Sequence, residues 1–223
     1  MHQQKQHPLS LETSTSFCDE DYVVSNSNNN AWLWLEKWPY WGDNTFSHIT
    51  YLYGEEKSGK SHLAKIWQRR SNAKNIDIQS LQKKTYLSEN NQNYLLDNLS
   101  ADFSEEDLFH FINYLLETRA FLLITSRILP QNLSYTLPDL LSRINAIHLL
   151  RIDNPDSELV EKIITKYFSD QQISINHDVI KFLENRIERS YKKLFQTLEL
   201  LNTESLSSHK RISIPFIKQI LKL

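Results

Sequence analysis

Tyr51-Leu52-Tyr53-Gly54-Glu55-Glu56-Lys57-Ser58-Gly59-Lys60-Ser61 reads as G-x-x-x-x-G-K-[ST] behind a short apolar run. In that pattern backbone N–H groups ring a phosphate, the lysine reaches the terminal phosphoryl groups and the serine hydroxyl ligates Mg²⁺. The flanks supply what the pattern demands. His48-Ile49-Thr50-Tyr51-Leu52-Tyr53 is rich in β-branched and aromatic residues and predicts a strand. Beyond the loop, Leu63, Ile66 and Trp67 recur at helical spacing. The loop therefore ends at a helix N-terminus, whose dipole favours an anion.

Only three glycines occur in the chain, Gly42, Gly54 and Gly59, and two of them fall on the motif. Glycine is needed where the backbone takes φ > 0 or approaches a ligand closely. A solvated Lys/Ser-rich turn would leave that placement unexplained, so nucleotide-phosphate binding is the premise for the rest.

A chain of 223 residues suffices for one α/β domain with an appendage, or for two small domains. The net charge of −2 carries no overall electrostatic footprint for DNA or an anionic membrane. The single cysteine, Cys18, excludes an internal disulfide, and the eight histidines are scattered without the spacing of a zinc site. No run of eighteen apolar residues exists, and the opening Met1-His2-Gln3-Gln4-Lys5-Gln6-His7 lacks a signal-peptide core. The expected location is the cytoplasm, with no membrane contact.

Residues 1–20 are polar and predict a mobile arm, within which Pro8-Leu9-Ser10-Leu11 is a small apolar island, either a docking peptide or a chance cluster. Ala31, Trp34, Leu35 and Trp38 share a helix face that ends before Pro39, with Asn28 or Asn30 as the cap. Four of the five tryptophans lie between positions 32 and 41. They either bolt this helix to the sheet or face a partner or the base of a nucleotide. After the loop, Lys74 to Ile78 predicts a short strand and residues 81–93 a polar connection. Tyr94-Leu95-Leu96-Asp97-Asn98 is an apolar run ending in an acid, where a phosphate-loop NTPase places its Mg²⁺-holding aspartate.

Ser104-Glu105-Glu106-Asp107 signals a helix start, and the strand Ala120 to Ile124 runs into Thr125-Ser126-Arg127. Thr125 or Ser126 is placed to touch a terminal phosphate or the attacking water, or simply begins a loop. Five candidate strands, at 48–53, 75–79, 93–97, 120–125 and 148–152, alternate with helices. That implies an α/β domain over residues 21–152 with a mainly parallel, five-stranded sheet. From Asp153 to Leu223 only helical patterns remain, forming a small α-helical lid domain.

In order of parts the chain resembles the AAA+ P-loop ATPases, and more closely the Hda family, the DnaA-related inactivators of the replication initiator. Tyr22-Val23-Val24-Ser25-Asn26-Ser27-Asn28, Leu137-Pro138-Asp139-Leu140-Leu141-Ser142-Arg143, Tyr191-Lys192-Lys193-Leu194-Phe195-Gln196-Thr197-Leu198 and the ending Lys210 to Leu223 carry the resemblance. It implies a protein that binds ADP or ATP with Mg²⁺ and rides on the DNA sliding clamp. There it promotes hydrolysis of DnaA-bound ATP, preventing re-initiation, without sequence-specific DNA binding of its own. Gly54, Ser58, Gly59, Lys60, Ser61 and His62 would contact nucleotide. Asp97, Thr125 and the lid's Lys192 would complete the site, with Ser61 and Asp97 on the metal. Arg143 falls at the arginine-finger position, offered in trans, and Gln6, Leu9 and Leu11 at the clamp-binding peptide. A homodimer is among the assemblies the resemblance allows.

Three departures mark the sequence. Asn98 stands where a hydrolysing AAA+ protein has a second acid, so slow hydrolysis by this chain is expected. Lys192 replaces the family's usual sensor arginine and loses its bidentate fork. The family's Gln-Leu-Ser-Leu-Pro-Leu peptide is kept here only at the Gln, the middle Leu and the last Leu. Two other readings stay open: a DnaA-like recruiter that acts by protein contacts alone, and a stand-alone P-loop enzyme such as a nucleotide kinase.

Overall fold

The computed structural model describes residues 21–88, 92–100 and 102–223. Gln6, Leu9, Leu11 and Cys18 lie outside them. The chain divides after Asp153, whose amide donates to the Ser27 carbonyl, into an α/β unit and a helical unit.

In chain order the α/β unit comprises α1 (Asn29–Glu36), β1 (Ile49–Tyr53), α2 (Lys60–Ser71), β2 (Lys74–Asn75) and α3 (Ile78–Gln82). It continues with β3 (Tyr94–Leu99), α4 (Glu105–Thr118), β4 (Leu122–Ser126), α5 (Pro138–Ala146) and β5 (His148–Arg151). The strands form one five-stranded sheet in the order β2-β3-β4-β1-β5, every pair parallel. Parallel pairs need a crossover, so helices cover both faces and the central strands are buried on both sides. Ile49 and Tyr51 of β1, Leu96 of β3 and Ile124 of β4 point into a core shared with Phe111, Leu115 and Leu140 of α4 and α5. Leu52, Leu95 and Leu123 alternate to the opposite face, where α2 packs on β3 and β4. Each such fully buried side chain contributes roughly 1.5–3 kcal/mol.

The aromatic cluster of residues 32–41 ties α1 to the sheet. Trp34 stacks on His148 of β5 with centroids 3.7 Å apart, and its Nε1–H donates to Thr50 Oγ1 at 3.0 Å. Trp41 stacks on Trp67 of α2 and donates to the Trp34 carbonyl.

One expected strand is mostly a helix start. β2 ends at Asn75, because Asp77 turns its carboxylate to the Ser80 amide at 2.8 Å and caps α3. Local side-chain bonding by an Asx residue outcompetes the ladder that Ile76 and Ile78 would otherwise join. The connection expected to be polar also carries a 3₁₀ turn at Thr85–Ser88 that buries Tyr86 against Phe111.

The second unit holds α6 (Ser157–Asp170), α7 (His177–Glu184), α8 (Tyr191–Ser208) and α9 (Ile214–Leu221). Asp156 and Ser213 cap α6 and α9 through their side chains, whereas Asn176 and Ser190 occupy N-cap positions without such a bond. Ile164, Phe168, Leu183, Leu194, Leu198, Leu201 and Ile217 close its core. No helix among the described residues is long and apolar enough to cross a membrane.

Candidate functional site

The loop from Gly54 to Lys60 leaves β1 and enters α2 without gaps in its backbone logic. Gly59 adopts φ +88 at the N-cap of α2, a left-handed value that favours glycine, and Lys57 also sits at φ +64. At Gly54 the constraint is space. A Cβ there would stand 2.7 Å from Ser58 Oγ and 3.2 Å from Ile152 Cβ, and the Gly54 amide donates to the Ser126 carbonyl. The two glycines therefore answer different needs, one conformational and one steric.

Lys60 lies buried at the first position of α2 and folds back on its own loop. Its Nζ donates to the Glu55 carbonyl at 2.6 Å and to Ser58 Oγ at 3.4 Å. Burial, and then the nearby Arg127 guanidinium, lower its pKa to about 8. The ammonium is thus poorly solvated despite the opposing pull of Asp97, Glu56 and Glu55, and an anionic ligand would offset that cost. Arg127 pairs with Glu56 at 3.3 Å, and Glu55 Oε2 is buried without a hydrogen-bond partner among the described residues.

Ser61 is exposed and donates to Asp97 Oδ1 at 3.2 Å. Thr125, buried at the end of β4, donates to the same carboxylate oxygen at 2.5 Å and accepts the Asn98 amide at 2.8 Å. These contacts depend on a feature the sequence hid. β3 does not end at Asp97 but runs to Leu99 across a bulge, with Leu96 paired to Ile124 and Leu99 to Ser126. Two residues, Asp97 and Asn98, oppose Thr125, and Asn98 takes φ +64. A bulge bends the strand and re-aims a side chain. Here it turns the Asp97 carboxylate to Ser61 and Thr125. The neighbouring Ser126 hydroxyl points elsewhere, donating to the Leu99 carbonyl at 2.8 Å.

These residues fit a nucleotide with Mg²⁺. Ser61 and Asp97 offer hard oxygen ligands side by side, and such a metal keeps several waters and takes its remaining ligands from phosphate. Among the described residues no group of three or more His, Cys, Asp or Glu could hold a metal alone. When bound, the metal would supply charge neutralisation for the terminal phosphates.

Tyr22 was missed by sequence reasoning. Its ring lies 3.3 Å from where a Cβ on Gly59 would stand, meets His62 edge-on at 5.4 Å and stacks on Trp32 at 5.6 Å. The signal available was an aromatic residue just before the first helix, which spacing alone does not assign. Arg143 sits in the last turn of α5, half-buried, its Nη1 donating to the Asp139 carbonyl at 3.2 Å. Its guanidinium carbon lies 4.3 Å over the ring of Phe109. Lys192 is exposed in the first turn of α8.

Residues 160–221 match the family model described as the Hda lid domain. That segment is similar to the Hda lid. The α/β unit ahead of this Hda-like lid has the AAA+ fold, seen in its structural relatives. Domain III of the replication initiation protein DnaA from Thermotoga maritima superposes with a TM-score of 0.71 at 17% identity, covering 93% of this chain and 96% of that one. DnaA from Aquifex aeolicus, in a structure bound to AMPPCP, gives 0.62 at 17% identity over 82% of this chain and 64% of that one. The RuvB Holliday junction branch migration motor of Thermotoga maritima gives 0.60 at 16% identity over 78% and 61%. At these identities the likeness is one of fold. An uncharacterised protein of Haemophilus influenzae (strain ATCC 51907 / DSM 11121 / KW20 / Rd) is 27% identical over 187 residues, 78% of this chain and 81% of its own. The chain thus joins a segment similar to the Hda lid to an α/β unit with the fold of DnaA domain III.

Proposed function

We propose that this Hda-like chain is a cytoplasmic regulator of replication initiation that makes DnaA hydrolyse its bound ATP. It holds ADP or ATP with Mg²⁺ in the loop from Gly54 to Ser61, docks on the sliding clamp through Gln6, Leu9 and Leu11, and presents Arg143 in trans to the nucleotide of DnaA. The observation that carries the reading is the Hda lid at residues 160–221 following an α/β unit with a phosphate loop. The AMPPCP-bound DnaA relative supports adenine nucleotide as the ligand. Within the site, Lys60 and the loop amides grip phosphate, Ser61 and Asp97 hold the metal, and Thr125 orients Asp97.

Nucleotide at about 100 times its dissociation constant adds roughly 2.7 kcal/mol of apparent stability. For a domain of this size that is about 5–10 °C in melting temperature, so a thermal shift with ADP, ATP and Mg²⁺ is the first check. The decisive measurement is hydrolysis of DnaA-bound ATP with this protein, with and without DNA-loaded clamp. An arginine finger accelerates a partner's hydrolysis by roughly 10³–10⁵. Arg143→Ala should abolish stimulation and leave nucleotide binding intact. Stimulation that survives this change would remove the mechanism, and stimulation independent of both clamp and residues 1–11 would remove the docking step.

A further inference from the structure

Glu105 opens α4, yet its carboxylate serves a different helix. The amides of Thr136 and Leu137 donate to Oε2 at 2.8 and 2.5 Å, and Thr136 Oγ1 donates to Oε1 at 3.2 Å. The segment it grips has no cap of its own. Leu137 occupies the N-cap of α5 with no side-chain acceptor to offer, and Pro138 follows with no N–H. In a capping box an acid three residues into the helix returns to the N-cap amide. Here an acid from the neighbouring helix takes that amide and the one before it. The Leu137 amide, more than any other contact, holds the Glu105 carboxyl below its usual range. The group is anionic at neutral pH and complements the positive end of the α5 dipole.

One turn along the same helix, Phe109 lies beneath the Arg143 guanidinium. Residues four apart share a helix face, so a single stripe of α4 holds both the first residues of α5 and the cation in its last turn. We propose that Glu105 is a positioning residue for Arg143, fixing the start of α5 and so the line along which the guanidinium is presented to a neighbour's nucleotide. This inference rests on the reading of Arg143 given above. Without the three bonds α5 pivots about Phe109 and its hydrophobic underside. A misplacement of about 1 Å in a transition-state contact can cost on the order of 10²-fold in rate.

The test uses the full-length chain with Glu105→Ala, Glu105→Gln and Arg143→Ala in parallel. Stimulated hydrolysis of DnaA-bound ATP is titrated, and amide hydrogen exchange is followed over residues 136–143. For Glu105→Ala the maximal stimulation should fall by roughly ten- to a hundredfold, with the half-saturating concentration unchanged and the nucleotide thermal shift intact. Exchange should quicken at Thr136 and Leu137. Glu105→Gln keeps the shape and one acceptor oxygen, so it should fall between wild type and Ala, and it serves if the Ala variant does not fold. Full stimulation or unchanged protection in the Glu105 variants, beside an inactive Arg143→Ala, overturns the positioning role and leaves the proposed function standing. An active Arg143→Ala overturns both.

Discussion

Thr125 donates a hydrogen bond from its hydroxyl to Asp97 and accepts one from the amide of Asn98, so one buried side chain closes the bulge in β3. Thr125→Val keeps the shape and removes both bonds. Each of these part-buried bonds is worth roughly 0.5–1.5 kcal/mol. Each kcal/mol is worth about 2–4 °C in melting temperature for a chain of this length. A calorimetric scan should therefore show a clear fall, and the Mg²⁺ dependence of nucleotide binding should weaken with it. An unchanged melting temperature would mean that the bulge is held by other bonds.

The buried ammonium of Lys60 makes a pH prediction. Its folded-state pKa is lowered to about 8, chiefly by burial, below the ordinary lysine value of 10.5. Between those limits the unfolded chain binds more protons than the folded one, so this group makes stability rise with pH. Below about pH 8 the cost of the buried charge is fully present. Tyr51 and Tyr135, both raised to about 12 by burial, act oppositely above pH 10. The rise should show between pH 8 and 10 in urea titrations of the nucleotide-free protein and vanish in Lys60→Met. Because phosphate favours the ammonium, nucleotide binding at pH 8.5 should take up a proton, read by calorimetry in buffers of different ionisation enthalpy.

Gly59→Ala places a methyl at φ +88 and against the Tyr22 ring. Forcing a non-glycine residue into that conformation costs on the order of 1 kcal/mol or more. The thermal shift given by nucleotide should be lost, since the loop amides no longer point together. A shift of wild-type size would show that Gly59 is dispensable to the loop.

Asn98 at φ +64 is one of the few residue types that tolerates the left-handed region. Asn98→Gly should be neutral or slightly stabilising, whereas Asn98→Ala should lose about 1 kcal/mol in denaturant unfolding. Equal stability of the two variants would argue that the turn relaxes.

Much of the architecture was legible because the relevant signals are local. The strand before Gly54, the helix after it and the acidic start of α4 are each written within a dozen residues. What stayed hidden depends on distant partners. Nothing near Asp97 announces that Thr125 will draw it across a bulge, and nothing near Leu137 announces that Glu105 will cap it from another helix. Asp77 shows the opposite failure, since Ile76 and Ile78 suggested a strand while one carboxylate bonded to Ser80 began a helix. Tyr22 was visible as an aromatic, but its place over Gly59 is a property of the folded chain.

The tether from the Gly54 amide to the Ser126 carbonyl joins the first turn of the phosphate loop to the last residue of β4. A one-residue slip between β1 and β4 would flip every side chain of one strand and break that tether. Whatever binds the loop therefore recognises a correctly registered sheet, and newly made chains that mispair would be blind to it. A ligand held there would favour the native register by mass action alone.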